Sequence, residues 1–547
     1  MAAALPLSSP ATDAVRRPAR WPAFALVVAG VVAALSLLPY LLAYLWTPPG
    51  QHFAGFFFIA DDATTYLAKM RQGAEGAWLW SDPYTSEPHG GVFLFGFYLF
   101  FGHLAGLFHL PLIAAYHLAR LSGAFALVLA TDRLCRRLLE PGLRKLAVAL
   151  VVFGSGAGFL AQIAGNPALL GARLEALDLH LPELTGWYSI LAVPHFAWAT
   201  ALIIAALLGL LRIAERPQVQ PVLLTALALI ALTAIHPQMI PVIGLIWLAY
   251  QALLLLWGEP LHPRSLVAQG IPFLATLPLL AYNAWILFRD PVIAEWASQW
   301  RHQAPPPLSL ALSLGLPLLL AGVGIAVAWR RRDRALALML VWPPLVAALL
   351  YLPNLANIQR RLLDALYLPI GVLAAVGLRQ LAGRLGARRA RRVQAALVAA
   401  CCVSSLIVFA IALRFATGAF SEAYVGDDAW QAMQWLSAHH QAGDRALSAP
   451  SAGQLLPAWS GVDVYVGHYS ETLDYFRKIR NVQQALQGSQ PGSLSTFLRA
   501  NGITLLYWGP DEAKTGFDPD ARPDLRPVFR DATVAIYRVT TSAAASY

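Results

Sequence analysis

The feature that most constrains this chain is a succession of apolar blocks, each roughly twenty residues long, the length that crosses ~30 Å of hydrocarbon. They fall at 22–46, 91–110, 111–134, 146–165, 188–211, 220–236, 238–258, 266–288, 308–329, 335–352, 362–380 and 394–415. A soluble domain carries about a quarter charged residues, whereas this chain is 13% charged and 58% hydrophobic. The pattern dictates a polytopic α-helical membrane protein. A net charge of +10 would suit a nucleic-acid binder if the basic residues formed a soluble face. They lie instead in short runs between apolar blocks, the signature of cytoplasmic loops, so membrane lipids rather than nucleic acid are the expected surroundings. Cys135, Cys401 and Cys402 sit in or beside apolar blocks, without histidines at zinc-ligand spacing, and read as small apolar side chains.

The basic residues also set the topology. Arg16, Arg17 and Arg20 precede an apolar run that is too long for a secretory signal and lacks a small-x-small cleavage site. Residues 1–21 therefore read as a cytoplasmic tail and the run as a retained first span. The block 91–110 is ambiguous. If it does not cross, the clusters at 136–145, 212–216, 330–334 and 379–392 all share the cytoplasmic side with the N-terminus. If it does cross, those clusters all face outward, against the positive-inside rule. The block also carries Gly91, Gly96, Gly102, His103 and His109, which suit an interfacial or re-entrant segment. The expectation is about eleven spans in the plasma (inner) membrane, with two long segments outside: 47–110 and the C-terminal 416–547.

After Arg414 the composition becomes that of a soluble chain. A helical pattern at 428–440 is followed by strand-like pieces at 445–450, 462–467, 503–509 and 534–539, with helical stretches at 471–487 and 491–500. Strands alternating with helices imply a small α/β domain. No phosphate-loop glycine spacing is present.

The chemistry-bearing residues concentrate in the first outside loop. Asp61 and Asp62 follow the apolar run 56–60 directly, and 63–78 reads as an amphipathic helix with Tyr66 on its apolar face. Carboxylates at a water–lipid boundary are costly unless they are paired or used. They also suit the first turn of a helix, with Asp62 a good N-cap, so capping and chemistry are both open. Further along, Asp82, Glu87 and His89 stand among Trp78, Trp80 and Tyr84, a mixture that suits sugar binding or an interfacial aromatic belt. Arg360 and Arg361 break the positive-inside pattern in the loop 353–361, which implies an anionic partner such as phosphate, a lipid headgroup or a carboxylate. His195 and His236 adjoin prolines in the outer parts of their spans. The loop 289–307, with Asp290, Glu295, Trp296, Trp300, Arg301 and His302, is a candidate rim for a polar substrate.

Together these features resemble the GT-C superfamily of membrane glycosyltransferases, which includes protein O-mannosyltransferases and the lipid A aminoarabinose transferase. The resemblance rests on one span, the acidic pair Asp61-Asp62, the segment Tyr66-Leu67-Ala68 and the turn Ser86-Glu87-Pro88-His89. A span ending in the basic run Arg133, Arg136 and Arg137 completes it. It covers the first ~140 residues in wording and the remainder in architecture. It implies inverting transfer of a sugar from a polyprenyl-phosphate donor to a glycan, lipid or protein acceptor at the outer face. The catalytic aspartate then maps onto Asp61 or Asp62. The substrate-binding candidates are Tyr66, Glu87, His89, His195, Arg360 and Arg361. Relatives often carry Asp-Glu or Asp-x-Asp where this chain has Asp-Asp. Metal dependence is therefore open, and Glu87 or His89 is the candidate to complete a divalent-cation site. The competing readings are a transporter or lipid flippase, for which Arg120 and Asp364 are the polar intramembrane residues, and a non-catalytic scaffold.

Overall fold

A computed structural model describes residues 23–169, 171–299, 301–352, 358–419, 421–487 and 494–540. The N-terminal arginines, Trp300, residues 353–357 and the start of the expected helix 491–500 lie outside that set. Seven helices are long and apolar enough to cross a bilayer: Ala23–Leu45, Leu112–Leu138, Pro194–Glu215, Met239–Leu256, Pro263–Arg289, Pro307–Arg330 and Gln359–Ala382. The pair Ala387–Cys401 and Val403–Ala419, bent by 50°, makes an eighth if it acts as one span. The protein is thus an integral, mostly helical membrane protein, but the expected count of about eleven spans is not reproduced.

The shortfall has local causes. The blocks 220–236 and 335–352 form the shorter helices Val219–Thr233 and Arg334–Leu350. The block 146–165 stops being helical at Phe153. There the chain turns so that its backbone presses on the helix Pro307–Arg330: a Cβ added to Gly156 would lie 2.0 Å from the Ser313 carbonyl oxygen. The doubtful block 91–110 contains the helix Gly96–Phe108, 13 residues long. At 1.5 Å per residue that is about 20 Å, too short to cross.

For the elements around the acidic loop we use the labels α1 (Ala23–Leu45), α2 (Ala60–Ala74), α3 (Gly96–Phe108) and α4 (Leu112–Leu138). Of the glycines that looked interfacial in the sequence, Gly102 serves the contact between α2 and α3, and Gly73 on α2 meets it from the other side. A Cβ on Gly102 would stand 2.1 Å from the Met70 carbonyl oxygen, and one on Gly73 would stand 2.2 Å from that of Leu99. Small residues let two helix backbones meet where apolar surroundings supply no other driving force. The charge inside the membrane part is also accounted for. Arg120 on α4 is fully buried, donates to the Ser36 and Ile190 carbonyls at 3.1 and 3.3 Å, and lies 4.3 Å from the Tyr40 ring.

The strand β1 (Gln51–Phe53), just after α1, pairs antiparallel with β2 (Tyr424–Gly426), just after the last helical segment. The end of the first span and the start of the C-terminal domain therefore share one face of the molecule. The C-terminal domain contains β3 (Arg445–Leu447), α5 (Pro450–Trp459), β4 (Asp463–Val464), α6 (Tyr475–Leu486), β5 (Leu505–Trp508), β6 (Leu525–Arg530) and β7 (Ala535–Val539). Its sheet has the order β4-β3-β5-β7-β6, parallel across the first three strands and antiparallel across the last. Asp444 at the start of β3 accepts both Arg538 Nη1 and Nη2 at 3.0 Å, which ties β7 to the centre of the sheet.

Candidate active site

The acidic pair does not cap its helix. α2 begins at Ala60, one residue before the pair, and Ile59 before it is in the left-handed region (φ 51°) with no side-chain cap. A β-branched residue in that conformation is strained, and such strain collects at functional sites. Thr64 and Thr65 turn back to donate to the carbonyls of Asp61 and Asp62 at 2.6 and 2.9 Å, leaving both carboxylates free of the backbone. The N-cap expected at Asp62 is therefore corrected: both aspartates lie inside the first turn.

Their surroundings differ. The Asp61 side chain is exposed. That of Asp62 is 28% exposed and turned inward, with Oδ1 at 3.3 Å from His468 Nε2. Burial alone would raise the Asp62 carboxyl. His468, Arg361 and Lys69 more than offset it and hold the group below the usual carboxylate range, so it is ionised at neutral pH.

Arg360 and Arg361 come to the same place and divide their work. Arg360 Nε lies 3.2 Å from Oε1 of the buried Glu183, so this arginine takes the carboxylate partner that its position implied. Arg361 Nη2 faces His302 Nε2 at 3.4 Å, and its guanidinium is 5.7 Å from the Phe196 ring. Among the described residues no carboxylate lies within ion-pair distance of Arg361. Burial, then Arg361 and Arg360, push the His302 imidazole down to about 3, which places that ring in the same positive field. Tyr66 stacks on Tyr98 at 4.3 Å, and Tyr98 Oη is 2.6 Å from His195 Nδ1. His236 continues this polar chain to Asp364 at 2.5 Å. His195 also meets the Tyr66 ring edge-on at 5.5 Å, and Asp364 is occupied by a histidine.

Glu87 and His89 do not join the aspartates. Both ring nitrogens of His89 are used within its own turn: Nε2 accepts from the Asp82 N–H and Nδ1 bonds to the Glu87 carbonyl, each at 2.8 Å. Glu87 accepts from Lys478 Nζ at 2.6 Å and from the Thr85 hydroxyl. Burial raises the Glu87 carboxyl, but Lys478 and Thr85 outweigh it and leave the group below its ordinary range. Asp82 moves the other way, raised by its burial and then by Glu471.

The expected cation site therefore loses two of its candidate ligands to structural bonds. Among the described residues no group of three His, Cys, Asp or Glu side chains converges as a metal site. Asp62 faces His468, Arg361 and Lys69, and the carboxylate beside it, Asp61, is exposed, so among the described residues the donor set does not fit a divalent ion.

The C-terminal domain supplies partners that the sequence did not single out. Lys69 on α2 meets Glu471 at 2.8 Å, both 2% exposed, and Trp296 Nε1 donates to the other Glu471 oxygen at 2.7 Å. Gln454 on α5 donates to the Asp61 carbonyl at 2.9 Å. Arg71 at the far end of α2 donates to the carbonyls of Ala458 and Trp459 at 3.1 and 3.0 Å. The available signal was the run Gly467-His468-Tyr469-Ser470-Glu471 directly after a predicted strand, because α/β sheets place functional loops at the carboxyl ends of their strands.

No protein-family model matches the sequence, and no curated protein sequence matches it. Solved structures do resemble it. The apo oligosaccharyltransferase of Archaeoglobus fulgidus has 12% identity and a TM-score of 0.53, over 89% of this chain and 69% of that one. The same archaeal enzyme, AglB, in complex with an inhibitory peptide and a dolichol-phosphate gives 11% identity and 0.50 over the same shares. ArnT of Cupriavidus metallidurans, bound to undecaprenyl phosphate, gives 14% identity and 0.50 over 95% of this chain and 98% of that one. These are GT-C membrane glycosyltransferases, and the chain has their fold.

Proposed function

We propose that this protein is an inverting glycosyltransferase that moves a sugar from a polyprenyl-phosphate donor to a glycan, lipid or protein acceptor at the outer face of the membrane. The observation that carries this reading is the meeting, on a GT-C fold, of an ionised and partly exposed Asp62 with an Arg361 that has no carboxylate within ion-pair distance among the described residues. In the reaction Asp62 accepts the proton of the attacking acceptor hydroxyl. The hydroxyl oxygen bonds to the anomeric carbon as the bond from that carbon to the phosphate oxygen breaks. The polyprenyl phosphate leaves with its charge developing beside Arg361. Asp61, whose side chain is exposed, is the weaker candidate for the base.

Transport is the less favoured reading, because the buried Arg120 is fixed by backbone carbonyls and an aromatic ring rather than facing a pathway. The test is the release of polyprenyl phosphate by the purified protein in vesicles supplied with a panel of polyprenyl-phosphate sugars. Turnover of at least one donor is expected, with loss in Asp62→Asn. Failure on every donor, or an unimpaired Asp62→Asn, contradicts the proposal.

A further inference from the structure

The C-terminal domain reaches the acidic pair at two points: Gln454 bonds the Asp61 backbone, and His468 meets the Asp62 carboxylate. His468 is fully buried, and its Nε2 lies 3.3 Å from Asp62 Oδ1. The opposite nitrogen, Nδ1, accepts the Ser470 backbone N–H at 3.2 Å and lies 3.1 Å from the Ser470 hydroxyl. A ring nitrogen that accepts from a backbone N–H carries no proton of its own, and in a neutral imidazole the proton then sits on the other nitrogen. The turn after β4 therefore fixes the tautomer and leaves the buried Nε2–H 3.3 Å from Asp62 Oδ1, without another hydrogen-bond partner among the described residues. The loop is itself anchored. The Thr472 hydroxyl donates to the Tyr84 carbonyl at 2.8 Å, and Glu471 holds Lys69 in the same α2 helix that bears Asp62.

Resting on the transferase reading above, we infer that His468 is the positioning residue of the base: it holds Asp62 Oδ1 and leaves Oδ2 to take the proton of the acceptor, so that the active site is complete only with the C-terminal domain docked. The chemistry is that of a carboxylate oriented by one fixed donor, here supplied across a domain boundary. A hydrogen bond to the charged form favours that form, so removal of His468 raises the Asp62 carboxyl as well as loosening it. The other groups that bear on Asp62 remain in place in such a variant. They are Asp61, Tyr66 and Lys69 on α2, with Arg361 and His302 from the membrane part. Tyr469 faces it from the His468 loop itself, and Tyr98 and Tyr116 face it from α3 and α4.

The experiment follows the Asp62 carboxyl by carbon-13 NMR in the full-length protein in nanodiscs, assigned by its disappearance in Asp62→Asn, alongside the pH profile of transfer. In His468→Ala the carboxyl is expected to titrate about one unit higher, and the acid limb of the rate to move with it. His468→Gln, whose amide nitrogen can stand where Nε2 stands, is expected to restore most of both shifts. If His468→Ala does not fold, the nitrogen-15 shifts of the His468 ring in the unaltered protein decide instead. The Nε2–H tautomer at neutral pH is expected, and the Nδ1–H tautomer overturns the inference. An unmoved Asp62 titration in a folded His468→Ala overturns it as well, whatever the activity. Absence of transfer in the unaltered protein refutes the transferase reading alone, because the NMR shift is read without turnover.

Discussion

Two acidic clusters stand some twenty residues apart in one loop, and they meet opposite fates. At the N-terminus of α2, Asp61 and Asp62 keep their carboxylates clear of the backbone, and Asp62 faces cations and a histidine. In the turn that follows, Asp82, Glu87 and His89 are consumed. His89 closes the turn, Glu87 holds Lys478, and Asp82 accepts the Tyr84 N–H at 2.9 Å. The difference lies in what the C-terminal domain brings to each. To the turn it brings backbone partners, such as the Val464 N–H on the Pro83 carbonyl at 2.8 Å, and the turn becomes a docking surface. To the carboxylates at the start of the helix it brings one imidazole, and the Asp62 carboxylate remains partly open.

The largest expected effect separates the clusters outright. Asp62→Asn should lower the rate of transfer by about 10²–10⁴-fold, while Glu87→Gln stays near the unaltered rate; equal losses would erase the distinction. Next comes the pair that fastens α2 to the C-terminal domain. Lys69→Met strands a buried carboxylate and should cost about 3–5 kcal/mol of stability, read as a lowered unfolding midpoint, with Lys69→Met/Glu471→Met recovering much of it. Arg361→Ala should cost about 10²–10³-fold in kcat. Arg360→Ala should act mainly through the stranded Glu183, on stability. The smallest effect is expected in the turn: His89→Ala removes two local bonds and should cost on the order of 1 kcal/mol in a thermal melt without changing kcat.

The pH dependence sharpens the same contrast with opposite signs. Glu87 has a lowered carboxyl, so its contribution to docking is present above the ordinary carboxylate range and disappears as pH falls through the lowered value. Asp82 has a raised carboxyl, so its contribution is complete in acid and fades as pH rises through the raised value. Acid titration of Glu87→Gln should show the first loss removed, and Asp82→Asn should flatten the second.

Much of the fold was legible because membrane helices are written in long apolar blocks, and seven of those blocks became long helices. The expectation failed where a block had to be interrupted for packing, as at Gly156, since nothing local records that the helix Pro307–Arg330 lies against it. In the C-terminal domain β6 escaped notice because Pro527 sits inside it. The proline is tolerated beside a bulge on an edge strand and hides the alternation. At the candidate site, the acidic pair and the two arginines were visible as charges in the wrong place. Their partners were not. Glu183, His468 and Glu471 come from distant segments, and Lys69 meets Glu471 across 402 positions of sequence; His302 was visible only as part of a candidate substrate rim.

The central claim, that Asp62 and Arg361 form one site for a lipid phosphate, is tested most directly by a structure of the protein with a polyprenyl phosphate bound in nanodiscs. The phosphate should lie against the Arg361 guanidinium with the Asp62 carboxylate facing the same space. A phosphate held elsewhere, for instance by Arg136 and Arg137 at the far end of α4, with Arg361 still directed at His302, would contradict it.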